Sequence, residues 1–204
     1  MRSRFVTPVV AVLCGFALGA CRSTPKEAAP AAPGGDPMAE FAAWMEIQTP
    51  NHHHARMQTM VGDWDVVQKM WMVPGEEPMV SQATAKIVPI QDGRYIMHTY
   101  NGDAGGMPFS GTSIDGYDNI KGKYVSCWVD SMSTGLFFME GTMMDSGKTI
   151  VSEGSVVMAP GQPPMVHRMV SHLQGPDGFV MEMFMVGPEG SLQKHMELTY
   201  SRRK

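Results

Sequence analysis

From Gly62 onward the chain is cut by turn-forming pairs at intervals of about eight to twelve residues, and the segments between them favour β-structure. The pairs sit at Pro74-Gly75, Asp92-Gly93, Gly105-Gly106, Asn119 to Gly122, Ser146-Gly147, Pro160-Gly161, Asp177-Gly178 and Glu189-Gly190. Connections this short make strands that are neighbours in sequence pair as hairpins. A meander of about ten strands curls, and closing it removes its exposed edges. The spacing therefore predicts an all-β fold, an up-and-down antiparallel barrel, with a two-sheet sandwich as the alternative. In the segment after Gly178, Phe179, Met181, Met183 and Met185 share one face, and Val180, Glu182, Phe184 and Val186 share the other. Both faces are apolar, so one lines the interior and the other meets a neighbouring element.

Ahead of the strands, residues 38–61 read as a helical segment capping one end of the barrel. Asp36 can cap a first piece with Pro37 at its first position, and Asn51 to Val61 places His54, Met57, Met60 and Val61 near one face of a second. Gly62 ends it, and residues 62–204 form the barrel domain.

The N-terminus is of another kind. Arg2 and Arg4 precede an uncharged apolar stretch from Phe5 to Ala20, shorter than the roughly 20 residues a spanning helix needs and weakened by Pro8. A positive head, a short apolar core and small residues at its end describe a secretory signal over residues 1–20. Leu18-Gly19-Ala20-Cys21 resembles the lipobox of bacterial lipoproteins, which implies a lipid-bearing Cys21 and a membrane anchor at that residue. Residues 21–37, rich in Ala and Pro, read as a flexible tether. The expected location is the cell envelope, facing the periplasm. Arg22 stands where inner-membrane lipoproteins often carry Asp, which by that resemblance favours the outer membrane.

Of the three cysteines, Cys14 leaves with the leader and Cys21 carries lipid, so Cys127 has no partner for an internal disulfide. Stability must come from a core. The formal net charge of −4 is spread out and no basic stripe exists, which argues against nucleic acid as a partner.

Two features resemble the calycin group of barrels, which includes the lipocalins: Gly62-Asp63-Trp64 at the start of the first strand, and a last strand, Glu197 to Arg202, ending in a basic residue. The resemblance implies a lipocalin-like barrel in which Trp64 closes the floor and Arg202 packs across it. More closely, the chain resembles the bacterial family called domain of unknown function 1579. Val61 to Trp64, Gly93-Arg94-Tyr95, Pro108 to Gly111, Gly116 to Asn119, Trp128 to Gly135 and the Tyr200-to-Arg202 ending carry that resemblance across residues 52 to 204. It implies a fold and supplies no activity.

Candidate chemistry centres on Trp128 to Thr134. On a strand, Tyr124, Ser126, Trp128 and Asp130 share one face; turned inward, Asp130 would stand at a barrel mouth near Ser131, Ser133 and Thr134. Such a cluster can bind a polar head group or serve acid–base work; the same groups can instead tie a tight turn. Gly116 to Asn119 reads as a plain turn, and His52-His53-His54 as a solvated or partly packed helical face. His98, His167, His172 and His195 are expected on different strands. Haem-binding barrels resemble this type, and His98 or His167 facing a cavity could ligate a metal or haem; their spacing does not demand it, and no cofactor or metal is expected. Met70-x-Met72 and Met181-x-Met183-x-Met185 read as core or pocket lining, with a Cu(I) site as the alternative. The ligand-binding candidates are Gln68, His98, Trp128, Asp130 and His167. The leading function is the binding of a small apolar or amphipathic molecule. The alternatives are a small enzyme using Asp130 with a strand histidine, and a packed structural barrel. No G-x-S-x-G, phosphate-binding loop, H-E-x-x-H or C-x-x-C is present.

Overall fold

The computed structural model describes residues 36–204. The leader, Cys21 and nearly all of the tether, residues 1–35, lie outside the described residues. Ten antiparallel strands run in chain order: β1 (Gly62–Met70), β2 (Met79–Ile90), β3 (Tyr95–Asp103), β4 (Pro108–Asp118), β5 (Lys123–Asp130), β6 (Phe137–Met144), β7 (Thr149–Val156), β8 (Met165–Leu173), β9 (Gly178–Val186) and β10 (Leu192–Arg202). Each strand pairs with the next and β1 pairs with β10, giving a closed up-and-down barrel. Every connection is a hairpin, which is why closure needs no crossover. Nine connections join ten strands. Eight coincide with the turn pairs of the sequence, and the ninth is the segment Ser131 to Leu136, inside the polar patch after Trp128.

Two helices precede the strands. α1 (Pro37–Ile47) has no buried residue, and the Asp36 carboxylate accepts a hydrogen bond from Met38 N at 3.0 Å. α2 (His52–Gln58) is shorter than the sequence pattern suggests, ending before Met60 and Val61. Its N-terminus is fixed by a capping box: Asn51 Oδ1 accepts from His53 N at 2.9 Å, and the His54 ring accepts from Asn51 N at 3.0 Å. His54 and Met57 are buried, with Met60 and Val61 packed partly behind them.

The interior divides into two halves. At the end where β1 begins and β10 finishes, Trp64, Val66, Ile87, Ile96, Tyr124, Phe179 and Tyr200 are buried together with Met57 of α2. Phe179 stacks on Tyr200 at 4.0 Å between centroids, and Trp64 meets Phe179 edge-on at 4.9 Å. Each such side chain contributes roughly 1.5–3 kcal/mol through burial. This is a packed floor, covered by α2: the His53 ring stacks on Tyr117 at 3.9 Å and its Nδ1 lies 2.9 Å from the Tyr124 hydroxyl. Of the histidine run, His53 and His54 therefore pack against the barrel while His52 stays exposed.

Gly116 to Asp118, expected as a plain turn, instead ends β4, with Gly116 paired to Tyr95 and Val125 and Tyr117 to Tyr124; the turn begins only at Asn119. Asp118 Oδ1 accepts from Ile120 N and Lys121 N, while the Asn119 amide donates to the carbonyls of Ile47 and Thr49. The hairpin thus holds the link between the two helices.

Candidate functional site

The other half of the interior differs. There the inward-facing residues of the strands keep accessible surface although the sheet around them is closed. Met70 of β1, Phe109 of β4, Trp128 of β5, Phe137 of β6, His167 and Met169 of β8, Met183 and Met185 of β9, and His195 and Met196 of β10 are all half-buried. The register sets them on the inner face: Met70 is opposite Met196, Met196 opposite Met183, Met183 opposite Met169, and His167 opposite Met185. Eight strands make a barrel just wide enough for its own side chains, so ten leave room. The result is a mouth lined by thioethers and aromatic rings above a closed floor. Two shallow depressions flank its rim, one lined by Trp71, Pro74, Gly75, Leu192, Gln193 and Lys194, the other by Ser110 to Thr112 and Val129 to Ser131.

Polar side chains mark the boundary between the halves. Gln68 is buried and engaged at both amide atoms: its carbonyl accepts from the Tyr100 hydroxyl at 2.6 Å, and its amide nitrogen donates to the Asp103 carbonyl at 3.1 Å. His98 is buried on β3, 3.5 Å from the Tyr200 hydroxyl and 6.4 Å from the Trp128 ring. Burial without a charged partner pushes its pKa down to about 4, so it is a neutral imidazole at neutral pH.

Asp115 was not singled out by sequence. It faces inward on β4, opposite Ser126, and accepts from the Ser113 hydroxyl at 2.6 Å. Burial raises its carboxyl above the usual range, against the opposing pull of the Ser113 and Ser126 hydroxyls. Its signal lay in the alternation Ser113-x-Asp115, but only the pairing with Ser126 shows the cluster.

Trp128 and Asp130 sit as neighbours on the inner face of β5, as their shared parity implies. The Trp128 indole donates to Asp130 Oδ2 at 2.9 Å. Asp130 Oδ1 accepts from Met132 N and Ser133 N, each at 2.9 Å. Burial pushes this carboxyl up, but the donors from Met132, Trp128 and Ser133 outweigh it and hold the pKa below the ordinary value. Both oxygens are thus spent, Oδ2 on the Trp128 indole and Oδ1 on the β5–β6 connection. Among the described residues, Asp130 has no histidine partner.

His167 is placed otherwise. Its Nδ1 lies 3.4 Å from His195 Nε2, and its ring meets Phe137 edge-on at 5.7 Å. His167 and His172, expected on separate strands, share β8 with opposite parity. His172 faces outward, 3.1 Å from Glu182. Met72 also departs from the sequence pattern, because β1 ends at Met70 and Met72 lies exposed in the following connection. Cys127 is on the outer surface of β5, between Ile114 and Phe138, and is only partly buried.

At the floor, the Arg202 guanidinium lies 4.2 Å from the Trp64 ring centroid and donates to the carbonyls of Val61, Thr59 and Pro176 at 2.6 to 2.8 Å. Gly62 makes this approach possible. A Cβ there would stand 2.3 Å from Arg202 Nη1, and its φ of +147° suits glycine.

Compared with known proteins, residues 49–202 match the family model described as "Protein of unknown function (DUF1579)". The chain belongs to this family. No curated protein matches this DUF1579 protein. Among solved structures, it is similar to the crystal structure of Rv2717c from M. tuberculosis, at 15% identity and a TM-score of 0.55, over 76% of this chain and 100% of that one. At that identity the likeness concerns the fold alone, and it agrees with the closed barrel of this DUF1579 protein.

Proposed function

We propose that this DUF1579 protein is a carrier that holds a small apolar or amphipathic molecule in the mouth half of its barrel. One observation carries the reading: the closed sheet has a packed floor and, above it, inward methionine and aromatic side chains that retain accessible surface. Apolar walls with a few convergent polar groups are the usual form of a small-molecule site. Methionine suits a ligand of loose shape, since its unbranched, polarizable side chain adapts to what it touches. His98, His167 and Trp128 are the polar-edged rings at or near that lining; Gln68 and Asp130 hold the walls in place through the contacts described above.

A dansylated long-chain fatty acid is the probe that tests this. The expected result is saturable binding with a blue-shifted emission, weakened about tenfold or more by a charge placed in the lining, Met183→Glu, in a protein that still folds. No saturable binding, or binding indifferent to Met183→Glu, would replace the carrier with a filled structural barrel.

The same reading places the carrier in the envelope, tethered through lipid on Cys21. Its support is the leader and lipobox-like residues of the sequence. Radiolabelled palmitate should enter the protein in a bacterial host and be lost in Cys21→Ser; equal labelling of both would remove the anchor.

A further inference from the structure

β10 is irregular at one point. Lys194 lies opposite Phe184 and Met196 opposite Met183, so His195 is an extra residue without a partner of its own on β9. Lys194 reaches outward to Glu182 and Glu197, and Met196 packs inward against the core. In a regular strand, inward Met196 would force His195 outward. The bulge turns it inward instead, which is what bulges do near functional sites. His195 Nε2 comes to 3.4 Å from His167 Nδ1, with the two rings edge to face and their centroids 5.3 Å apart.

The pair is incompletely used. One imidazole can donate a single proton to the other, which leaves the far nitrogen of each ring to find its own partner. For His167 that nitrogen, Nε2, is buried and unpartnered among the described residues. Buried polar atoms are rarely left so, and an exception points to an ion or another group that completes it.

On β9, thioethers share the inner face with this pair. Met185 is directly opposite His167, and Met183 lies between Met169 and Met196. Opposed side chains on one face stand about 5 Å apart at Cβ, within reach of a flexible methionine. Among the described residues, no three His, Cys, Asp or Glu side chains gather as a metal site. The donors at hand are the open imidazole nitrogen of His167 and soft sulfur. That set suits Cu(I), whereas carboxylate and carbonyl oxygen suit magnesium or calcium.

We propose that His167, through its unpartnered Nε2, and the thioethers of Met183 and Met185 form a Cu(I)-binding site at the barrel mouth, with His195 fixing the His167 ring from its Nδ1 side. The site needs no organic ligand, so it stands or falls separately from the carrier reading.

The test is anaerobic titration of Cu(I) against bicinchoninate, a colorimetric chelator. It uses the full chain with Cys14→Ser, Cys21→Ser and Cys127→Ser, because a thiol would compete as a soft ligand. The expected result is a single equivalent of Cu(I) held against the chelator. His167→Leu with His195→Leu, and separately Met183→Leu with Met185→Leu, each weaken retention by about tenfold or more with the near-UV spectrum preserved. Should the histidine variant fail to fold, the methionine variant decides, since leucine conserves volume and apolarity. No retention by the cysteine-free chain, or retention unchanged in the methionine variant, overturns the site. Dansyl fatty-acid binding measured on the same variants separates this outcome from failure of the carrier reading.

Discussion

The six-membered ring of Trp128 occupies the space in which a side chain at Gly111 would stand: a Cβ built on Gly111 falls 2.0 Å from Trp128 Cζ2. Glycine on β4 is thus the receptacle for a tryptophan on β5, one strand over and two positions from its direct partner, Ser113. The indole is held there by its hydrogen bond to Asp130 and by the offset face of Phe109.

Gly111→Ala should therefore displace Trp128 and cost about 1–3 kcal/mol, the range for overpacking a fitted interior. Urea unfolding monitored by far-UV circular dichroism checks the stability. The double variant Gly111→Ala with Trp128→Phe should cost less than the sum of the single changes, because both act on one space. Strict additivity would show that the ring does not depend on Gly111.

Arg202→Leu removes three charge-assisted hydrogen bonds and the cation over Trp64. A loss of about 3 kcal/mol is expected, because the freed carbonyls of Val61 and Thr59 lose their donor at the floor. Arg202→Lys should recover only part of it, since an ammonium cannot reproduce the planar fork. Equal stability of the Lys variant and the unsubstituted protein, by the midpoint of urea unfolding, would refute that account.

Asp130→Asn should destabilise by about 1–2 kcal/mol, because an amide can keep one acceptor but turns its donor group toward another N–H. The β5–β6 connection should then exchange its amide hydrogens faster at Met132 and Ser133 while the floor strands stay protected. Hydrogen exchange read by NMR distinguishes this local effect from global loosening.

Acid should weaken the fold through His98. Its folded pKa is lowered from 6.5 to about 4, so the unfolded chain binds more protons between those values. Stability is then full above pH 6.5 and falls as pH drops toward 4, by up to about 1.4 kcal/mol per pH unit for one group. His53, His54, His167 and His195, all lowered, act in the same sense. Asp115, raised by burial, acts in the opposite one: its contribution is present at low pH and is lost as pH rises through its folded pKa. Denaturant midpoints from pH 7 to pH 4 should thus decline less steeply in His98→Phe and more steeply in Asp115→Asn.

Much of the scaffold was legible because its cause is local. Turn pairs such as Asp92-Gly93 dictate hairpins within a few residues, and successive hairpins leave a sheet little choice but to close. The patch after Trp128 was legible as composition but not as a role, for an aspartate facing a ligand and one capping a connection look the same until Met132 N and Ser133 N are placed. β9 shows why inward and outward stayed open: Met183 and Phe184 are both apolar, so alternation marks two faces without naming them. The His167–His195 pair was beyond reach, because it depends on one extra residue in β10 that no composition signals and that reverses the facing of what precedes it.

The division of the barrel into a filled half and an accessible half also bears on how such a chain can change over generations. Substitutions among Trp64, Phe179 and Tyr200 are judged by whether the protein survives at all. On the proposed readings, those among Met183, Met185 and His167 are judged by what the barrel captures. Because the same strands supply both, the lining can drift and specialise anew on a foundation that is already secured at the other end.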